Sequence, residues 1–269
     1  MSNIKKYGVC DFSIVPVRKN PTSTSELVTQ LIFGELYTIT NKSEKWSYIK
    51  IQDDLYNGWI NNSQINIISK SDFDKLKLIK PRLSLEVIGH IFNNTGKTLI
   101  PIGSLINSCE YLNYTFQGKS SDQVNNDLIK IAMKYINSPY LWGGKSPLGI
   151  DCSGFTQMVY KINGINIKRD ASQQAIQGKL IRKKELKPGD LAFFGESEKS
   201  ITHVGIMLNK SKIIHAFGKV QINQVNADGI YNSIDKKITH KLVYFRSYWF
   251  SKSWILAFIN LNFSFSPTV

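Results

Sequence analysis

Cysteine is scarce in this 269-residue chain: there are three, Cys10, Cys109 and Cys152, with no Cys-x-x-Cys pair among them. An odd, widely spaced set excludes a disulfide framework and a thiolate-rich structural zinc site. Acidic residues are also in short supply, 20 against 34 Lys and Arg, which leaves a formal net charge of +14. Such a surplus is either a solvated basic surface or an attraction to an anionic partner such as acidic peptide or cell-wall polymer. Nucleic acid is not the expected partner, because no basic run is interleaved with aromatics. No apolar stretch follows the lysines of Met1–Gly8, so no secretory leader is visible and a cytoplasmic location is expected. A periplasmic or extracellular place stays open if a leader has been trimmed. The apolar stretch Tyr248–Phe265 is broken by Ser251, Lys252, Ser253, Asn260 and Asn262. It falls short of the roughly 20 mainly apolar residues a membrane helix needs. Residues 247–269 are therefore expected to be an apolar extension, with no stable membrane insertion.

What is present is ample core material: 42% of residues are apolar and 12% aromatic, which excludes a disordered chain. Short strand-like runs fill the first quarter: Val15–Val17, Leu31–Phe33, Leu36–Thr40, Trp46–Ile51 and Gly58–Ile60, punctuated at Gly34-Glu35 and Asn57-Gly58. They predict a small β-barrel over residues 1–69. Runs at Leu85–Ile88, Thr98–Gly103 and Tyr111–Phe116 predict a second barrel over 70–120. The texture then changes. A helix is expected from Ser121 or Asp122 through Asn137, and another from Asp151 or Cys152 to Asn163, stopped by Gly164. Strands follow at 191–194, 203–208, 211–216 and 242–245. Residues 121–246 thus read as an α+β unit, helices first and an antiparallel sheet after.

The chemistry gathers at Asp151-Cys152-Ser153-Gly154. A thiolate is the nucleophilic form of cysteine, and a helix N-terminus favours it through partial positive charge and free N–H groups. The same N–H groups can hold an oxyanion. Gly154 would let another backbone approach the first helical turn. His203 and His215 lie on neighbouring predicted strands joined by a turn near Leu208–Ser211, where one can act as base and the other orient it. Taken alone, a buried cysteine or a structural histidine is the commoner finding; their order together points to a cysteine hydrolase.

Five blocks carry a resemblance. Tyr140-Leu141-Trp142-Gly143-Gly144, Asp151-Cys152-Ser153-Gly154-Phe155, Leu186-Lys187-Pro188-Gly189-Asp190-Leu191, His203-Val204-Gly205-Ile206 and Ile214-His215-Ala216 follow one another as in the NlpC/P60 cysteine peptidases, which the chain resembles over about 125–246. The resemblance implies a papain-like fold and action on bacterial cell-wall peptides. It implies Cys152 as nucleophile, His203 as base and His215 as the polar residue orienting it, with Tyr140 beside the thiol in oxyanion or substrate positioning. No metal or cofactor is expected.

The two barrels in front resemble the bacterial SH3-like modules of γ-D-glutamyl-L-diamino acid endopeptidases. That subgroup accepts short murein peptides with a free L-Ala amine, as in peptidoglycan recycling. A buried ammonium needs carboxylates, because unpaired charge in a dry site is costly. The resemblance implies Asp170 as the amine-binding acid with Ser172 beside it. Glu26 and Tyr56 are the barrel candidates, Glu35 is a rival to Glu26, and Asp151 and Ser153 match positions that contact substrate backbone. For Asp151 and Ser153 helix capping is the alternative role, and for Tyr140 plain aromatic packing. The expected partner is an L-Ala-γ-D-Glu-diamino acid peptide, with lysine or diaminopimelate left open. The other reading is an extracellular hydrolase of intact wall with the barrels as wall-binding modules.

Overall fold

The computed structural model describes residues 5–122, 127–233 and 236–248. In β2 (Ile14–Arg18) and β5 (Trp46–Ile51) every second residue is buried, the period-two pattern of strands with one face in a core. They join β1 (Lys6–Val9), β3 (Leu27–Ile32), β4 (Leu36–Lys42), β6 (Asn57–Asn61) and β7 (Ile67–Ile68) in the order β3-β2-β6-β5-β4-β1-β7. Val15, Val17, Leu31, Tyr37, Ile49 and Ile60 fill this SH3-like unit. The reversal expected at Asn57-Gly58 comes earlier. Asp54 Oδ1 accepts the Tyr56 N–H at 2.9 Å and Leu55 takes φ 64°, so Asn57 and Gly58 already lie in β6.

The segment 70–120 departs from its sequence pattern. It opens with α1 (Lys70–Leu78), capped by Ser69, whose Oγ accepts from Asp72 N at 3.0 Å. Phe73 and Leu76 of α1 pack on Val9, Leu36 and Ile68 of the first unit. Then β8 (Ile88–Asn93), β9 (Gly96–Pro101) and β10 (Thr115–Gln117) form a three-stranded sheet in the order β10-β8-β9. Single bridges Leu83–Leu105 and Ser84–Ser120 extend the pairing. Tyr111, expected in a strand, closes α2 (Ser108–Tyr111), and Asn113 at φ 58° breaks the extended run.

In the third unit α3 (Leu128–Met133) is capped by Asp127, whose Oδ1 accepts from Ile129 N and Lys130 N at 2.9 and 3.3 Å. The expected cap at Ser121 or Asp122 is not the one used, and residues 123–126 lie outside the described residues. The hairpin β11 (Lys145–Ser146) and β12 (Gly149–Ile150) leads into α4 (Cys152–Ile162), which stops at Asn163 before Gly164 at φ 77°. α5 (Ala171–Gln174) and β13 (Lys179–Ile181) follow.

The last strands are β14 (Leu191–Ser197), β15 (Ser200–Met207), β16 (Lys212–Phe217), β17 (Lys219–Val225), β18 (Gly229–Asn232) and β19 (Lys237–Ser247). Their order is β19-β14-β15-β16-β17-β18, and β18 pairs back to β19, so six strands close into a barrel with β13 outside β19. One strand face packs Val204, Ile206 and Ile214 on Phe155, Val159 and Ile162 of α4. The other gathers Phe194, Met207, Ile213, Val225, Ile230 and Phe245. Ser247 and Tyr248, expected in the extension, belong to this unit: Ser247 pairs with Lys179, and the Tyr248 hydroxyl donates to the Gln174 carbonyl. The rest of the expected extension, 249–269, lies outside the described residues. Among the described residues no helix is long and apolar enough to cross a membrane.

Candidate active site

α4 begins where it does because Asp151 caps it. Asp151 Oδ1 accepts the Gly154 N–H at 2.6 Å, and Oδ2 accepts the Gly143 N–H at 2.8 Å. The Arg169 guanidinium grips the same carboxylate in a fork, Nη1 to Oδ1 at 3.0 Å and Nη2 to Oδ2 at 2.6 Å. Arg169 is 1% exposed and Asp151 5%, so the pair is buried and charge-assisted, the arrangement in which a bidentate fork holds geometry best. Arg169 Nε donates to Thr29 Oγ1 of β3 at 2.9 Å, which ties the helix cap to the first barrel. Ser153 Oγ accepts from Arg169 Nη1 at 3.0 Å and donates to Asp151 Oδ1 at 3.3 Å. Both residues thus cap and cross-link the helix start, and both also line the cavity described below. Gly154 has the role its size suggested: a Cβ there would stand 2.3 Å from the Gly144 carbonyl oxygen.

Cys152 opens α4 and is 5% exposed. The expectation that the helix start would hold it as thiolate is corrected by its surroundings. Burial pushes the thiol up to about 12, the Asp151 charge adds to this, and the backbone amides of Val204 and Ser153 with Arg169 oppose it only in part. Desolvation of a nearly enclosed sulfur outweighs the partial charge of a helix end. The Val204 amide belongs to the residue after His203, so β15 lies directly against the sulfur. Among the described residues no hydrogen bond joins the thiol to either imidazole.

The histidines form a run of their own. His203 Nε2 lies 2.8 Å from His215 Nδ1, and His215 Nε2 lies 3.0 Å from Asn223 Oδ1 on β17. The amide oxygen can only accept, so His215 carries its proton on Nε2, its Nδ1 accepts from His203 Nε2–H, and His203 Nδ1 is left as a free base. Burial lowers His203 well below the ordinary histidine value, and His215 and His240 lower it further. Burial likewise brings His215 down to about 4. The resting pair is a neutral thiol and a neutral imidazole.

Above them lies a cavity of about 1080 Å³ between the first barrel and the third unit. Cys152, Asp170, Ser172, Ile201 and Thr202 line it from one side, and Glu26, Tyr48, Leu55 and Tyr56 from the other. The Tyr56 hydroxyl donates to Asp170 Oδ1 at 3.2 Å across this junction. Burial raises the Asp170 carboxyl, while Arg169 and the Tyr56 hydrogen bond hold it down in part. Glu26 accepts from Trp142 Nε1 at 2.9 Å and from Lys19 at 3.2 Å at the rim, with 40% of its side chain exposed. Ser172 is exposed at the cavity wall. Tyr140 is half-buried against the core, its phenol raised chiefly by burial, with Cys152 and the Asp151 carboxylate nearby.

Glu35 is elsewhere. It is 1% exposed and paired with Lys145 at 2.9 Å and Lys161 at 2.6 Å, away from the cavity. Glu26 at the rim and Asp54 are the barrel carboxylates that line the cavity. Four residues of the site escaped the sequence reading: Asp54, Arg169, Asn223 and His240. Arg169 had a signal, as the neighbour of Asp170; Asn223 had none beyond polar alternation in Lys219–Val225. Among the described residues no cluster of three or more His, Cys, Asp or Glu could hold a metal ion.

Residues 137–241 match the NlpC/P60 family, and residues 17–65 match the bacterial dipeptidyl-peptidase Sh3 domain. Over 250 residues the chain is 26% identical to a gamma-D-glutamyl-L-lysine dipeptidyl-peptidase of Bacillus cereus, covering 77% of this chain and 73% of that protein. Dipeptidyl-peptidase 6 of Lysinibacillus sphaericus is 28% identical over 252 residues, 81% of this chain and 88% of that one. A solved NlpC/P60 family protein of Bacillus cereus shares the fold, with TM-score 0.71 at 21% identity over 90% of this chain and 99% of that one.

Proposed function

We propose that this chain, an NlpC/P60 domain behind a bacterial SH3-like domain, is a cysteine endopeptidase. Its bond is the γ-D-Glu–diamino acid link of short murein peptides with a free N-terminal L-Ala. One observation supports this reading above the others: the Tyr56–Asp170 hydrogen bond of 3.2 Å closes one wall of the cavity that holds Cys152, joining barrel and catalytic unit. An ammonium that meets the Asp170 carboxylate there, with Glu26 at the rim, replaces solvation by charge-assisted hydrogen bonds. An N-blocked or polymeric chain offers no such cation and leaves the carboxylate desolvated. The relatives' names, which pair γ-D-glutamyl with lysine, fit a cleft of this kind.

The chemistry starts from the neutral pair. His203 Nδ1 takes the thiol proton as Sγ attacks the γ-carbonyl carbon of D-Glu, a C–S bond forms, and the carbonyl electrons move to oxygen. The proton passes from His203 to the diamino acid nitrogen as the C–N bond breaks. Water, deprotonated by His203, then attacks the thioester carbonyl; the C–S bond breaks, the imidazolium returns its proton to Sγ, and L-Ala-D-Glu leaves with its γ-carboxylate free. The His215–Asn223 run keeps His203 in the tautomer that makes Nδ1 the base. Such peptides arise from wall turnover, which makes recycling the setting.

The test is turnover of L-Ala-γ-D-Glu-L-Lys, its diaminopimelate counterpart, their N-acetylated forms and purified sacculi. Cleavage of the free peptides and at least a 100-fold loss on N-acetylation are expected on the order of a buried unpaired charge, with Cys152→Ala inactive. Equal turnover of the acetylated peptide would overturn amine recognition, and preferential release from sacculi would favour the wall-hydrolase reading.

A further inference from the structure

The mechanism leaves one histidine of the site unused. His240, on β19, lies face to face with His203: the ring centroids are 4.0 Å apart and the planes 28° from parallel. It takes no part in the hydrogen-bonded run from His203 to Asn223. Its own ring is fixed from two sides. The Thr239 hydroxyl donates to the Ile230 carbonyl at 3.4 Å and so accepts from His240 Nδ1–H at 2.9 Å. Phe217 meets it edge-on, with centroids 4.8 Å apart and planes at 88°. Phe194 stands beside both rings, 5.8 Å from His203 and 6.3 Å from His240.

The hydrogen bond to His215 fixes where one edge of the His203 ring points. It does not stop the ring from pivoting about that bond, and a pivot changes where Nδ1 points. A flat partner on the ring face removes this freedom at no cost in hydrogen bonds. The strand register supplies the partner: Phe194 of β14 lies opposite both His203 of β15 and Leu242 of β19, two residues from His240.

We propose that His240 is a positioning residue for the catalytic base, a flat wall that clamps the His203 ring so that Nδ1 stays aimed at the Cys152 thiol. This rests on the reading of His203 as the base. A wall next to a base that becomes imidazolium in each turnover must itself stay neutral, because two stacked cations repel. Burial brings His240 down to about 4, which meets that condition at neutral pH. A phenyl ring would be as flat and as neutral; a leucine would fill the space without offering a plane.

The experiment uses the full chain and the tripeptide L-Ala-γ-D-Glu-L-Lys, with His240→Phe, His240→Leu, His240→Ala and His203→Ala. Misaiming a reacting group by about 1 Å costs on the order of 100-fold. His240→Ala and His240→Leu are expected to lose about 10- to 100-fold in kcat with KM within about twofold, and His240→Phe to recover to within about threefold. Thermal melts separate lost aim from lost fold, and where His240→Ala does not fold, the Leu and Phe variants still decide. Equal recovery by Leu and Phe would mean space-filling alone and overturn the inference. So would kcat unchanged in His240→Ala, or an effect confined to KM. His203→Ala keeps the two levels apart: an active His203→Ala sinks the assignment of the base itself, whereas an inactive one beside a fully active His240→Ala sinks only the clamp.

Discussion

At the scale of single residues, the thiol is the point at which local sequence and environment disagree. The helix start that offers Cys152 a positive end is the same place where the chain encloses it, and enclosure wins. A thiol pushed up to about 12 carries less thiolate at pH 7 than an ordinary cysteine. The free enzyme should therefore react with iodoacetamide more slowly than free cysteine does at pH 7, with the rate climbing as pH rises through 9; alkylation at or above the free-cysteine rate would contradict the neutral pair. The motif itself was legible because Asp, Cys, a small residue and Gly at a helix start are dictated by capping, by the nucleophile and by the Gly144 backbone. Asn223, His240 and the choice of Glu26 over Glu35 were not. Each depends on which strands neighbour one another, and a single polar residue in an alternating strand does not say what it faces.

At the scale of elements, the loop 140–144 and α4 are built to touch. Exchanging Gly for Ala inside a helix normally stabilises it by about 1 kcal/mol. At Gly154 the new methyl would sit 2.3 Å from the Gly144 carbonyl oxygen and 3.0 Å from Asp151 Oδ1, and overpacking of that kind costs about 1–3 kcal/mol. Gly154→Ala should lower the melting temperature and, by moving the loop that carries Tyr140, reduce kcat as well; a more stable, fully active variant would show that the contact is not tight. Strands and long helices were legible at this scale through period-two burial and the Gly164 stop. The short elements were not. Asp127 displaced the earlier cap candidates on α3, and α1 and α2 stand within the stretch that the strand-like runs assigned to a second small barrel, since short apolar runs fit a helical turn as well as a strand.

At the scale of the whole molecule, the first barrel is locked to the catalytic unit by buried charge. Glu35 lies between Lys145 and Lys161, and Lys161 reaches on to Asp53 at 2.8 Å. Burial alone would raise the Glu35 carboxyl; the two lysines overcome it and bring it from 4.5 down to about 2. A depressed carboxyl stabilises the fold fully above its ordinary value and loses that contribution as pH falls from 4.5 toward 2. Glu35→Gln leaves Lys145 buried without its partner and should cost about 3–5 kcal/mol at pH 7. In denaturant titrations the gap between wild type and variant should shrink below pH 4.5 and nearly close by pH 2; a gap independent of pH would show that the carboxyl is not held as described. None of this clasp was legible locally, because each Glu35–Lys pair joins residues more than a hundred positions apart.

The shared cavity also has a consequence in time. Barrel residues 26–56 leave the ribosome about a hundred residues before the cysteine does, and domains fold as units in order of synthesis. One bank of the cleft is thus synthesised before the nucleophile. The order of synthesis thus puts the barrel wall of the cleft ahead of the thiol that it flanks.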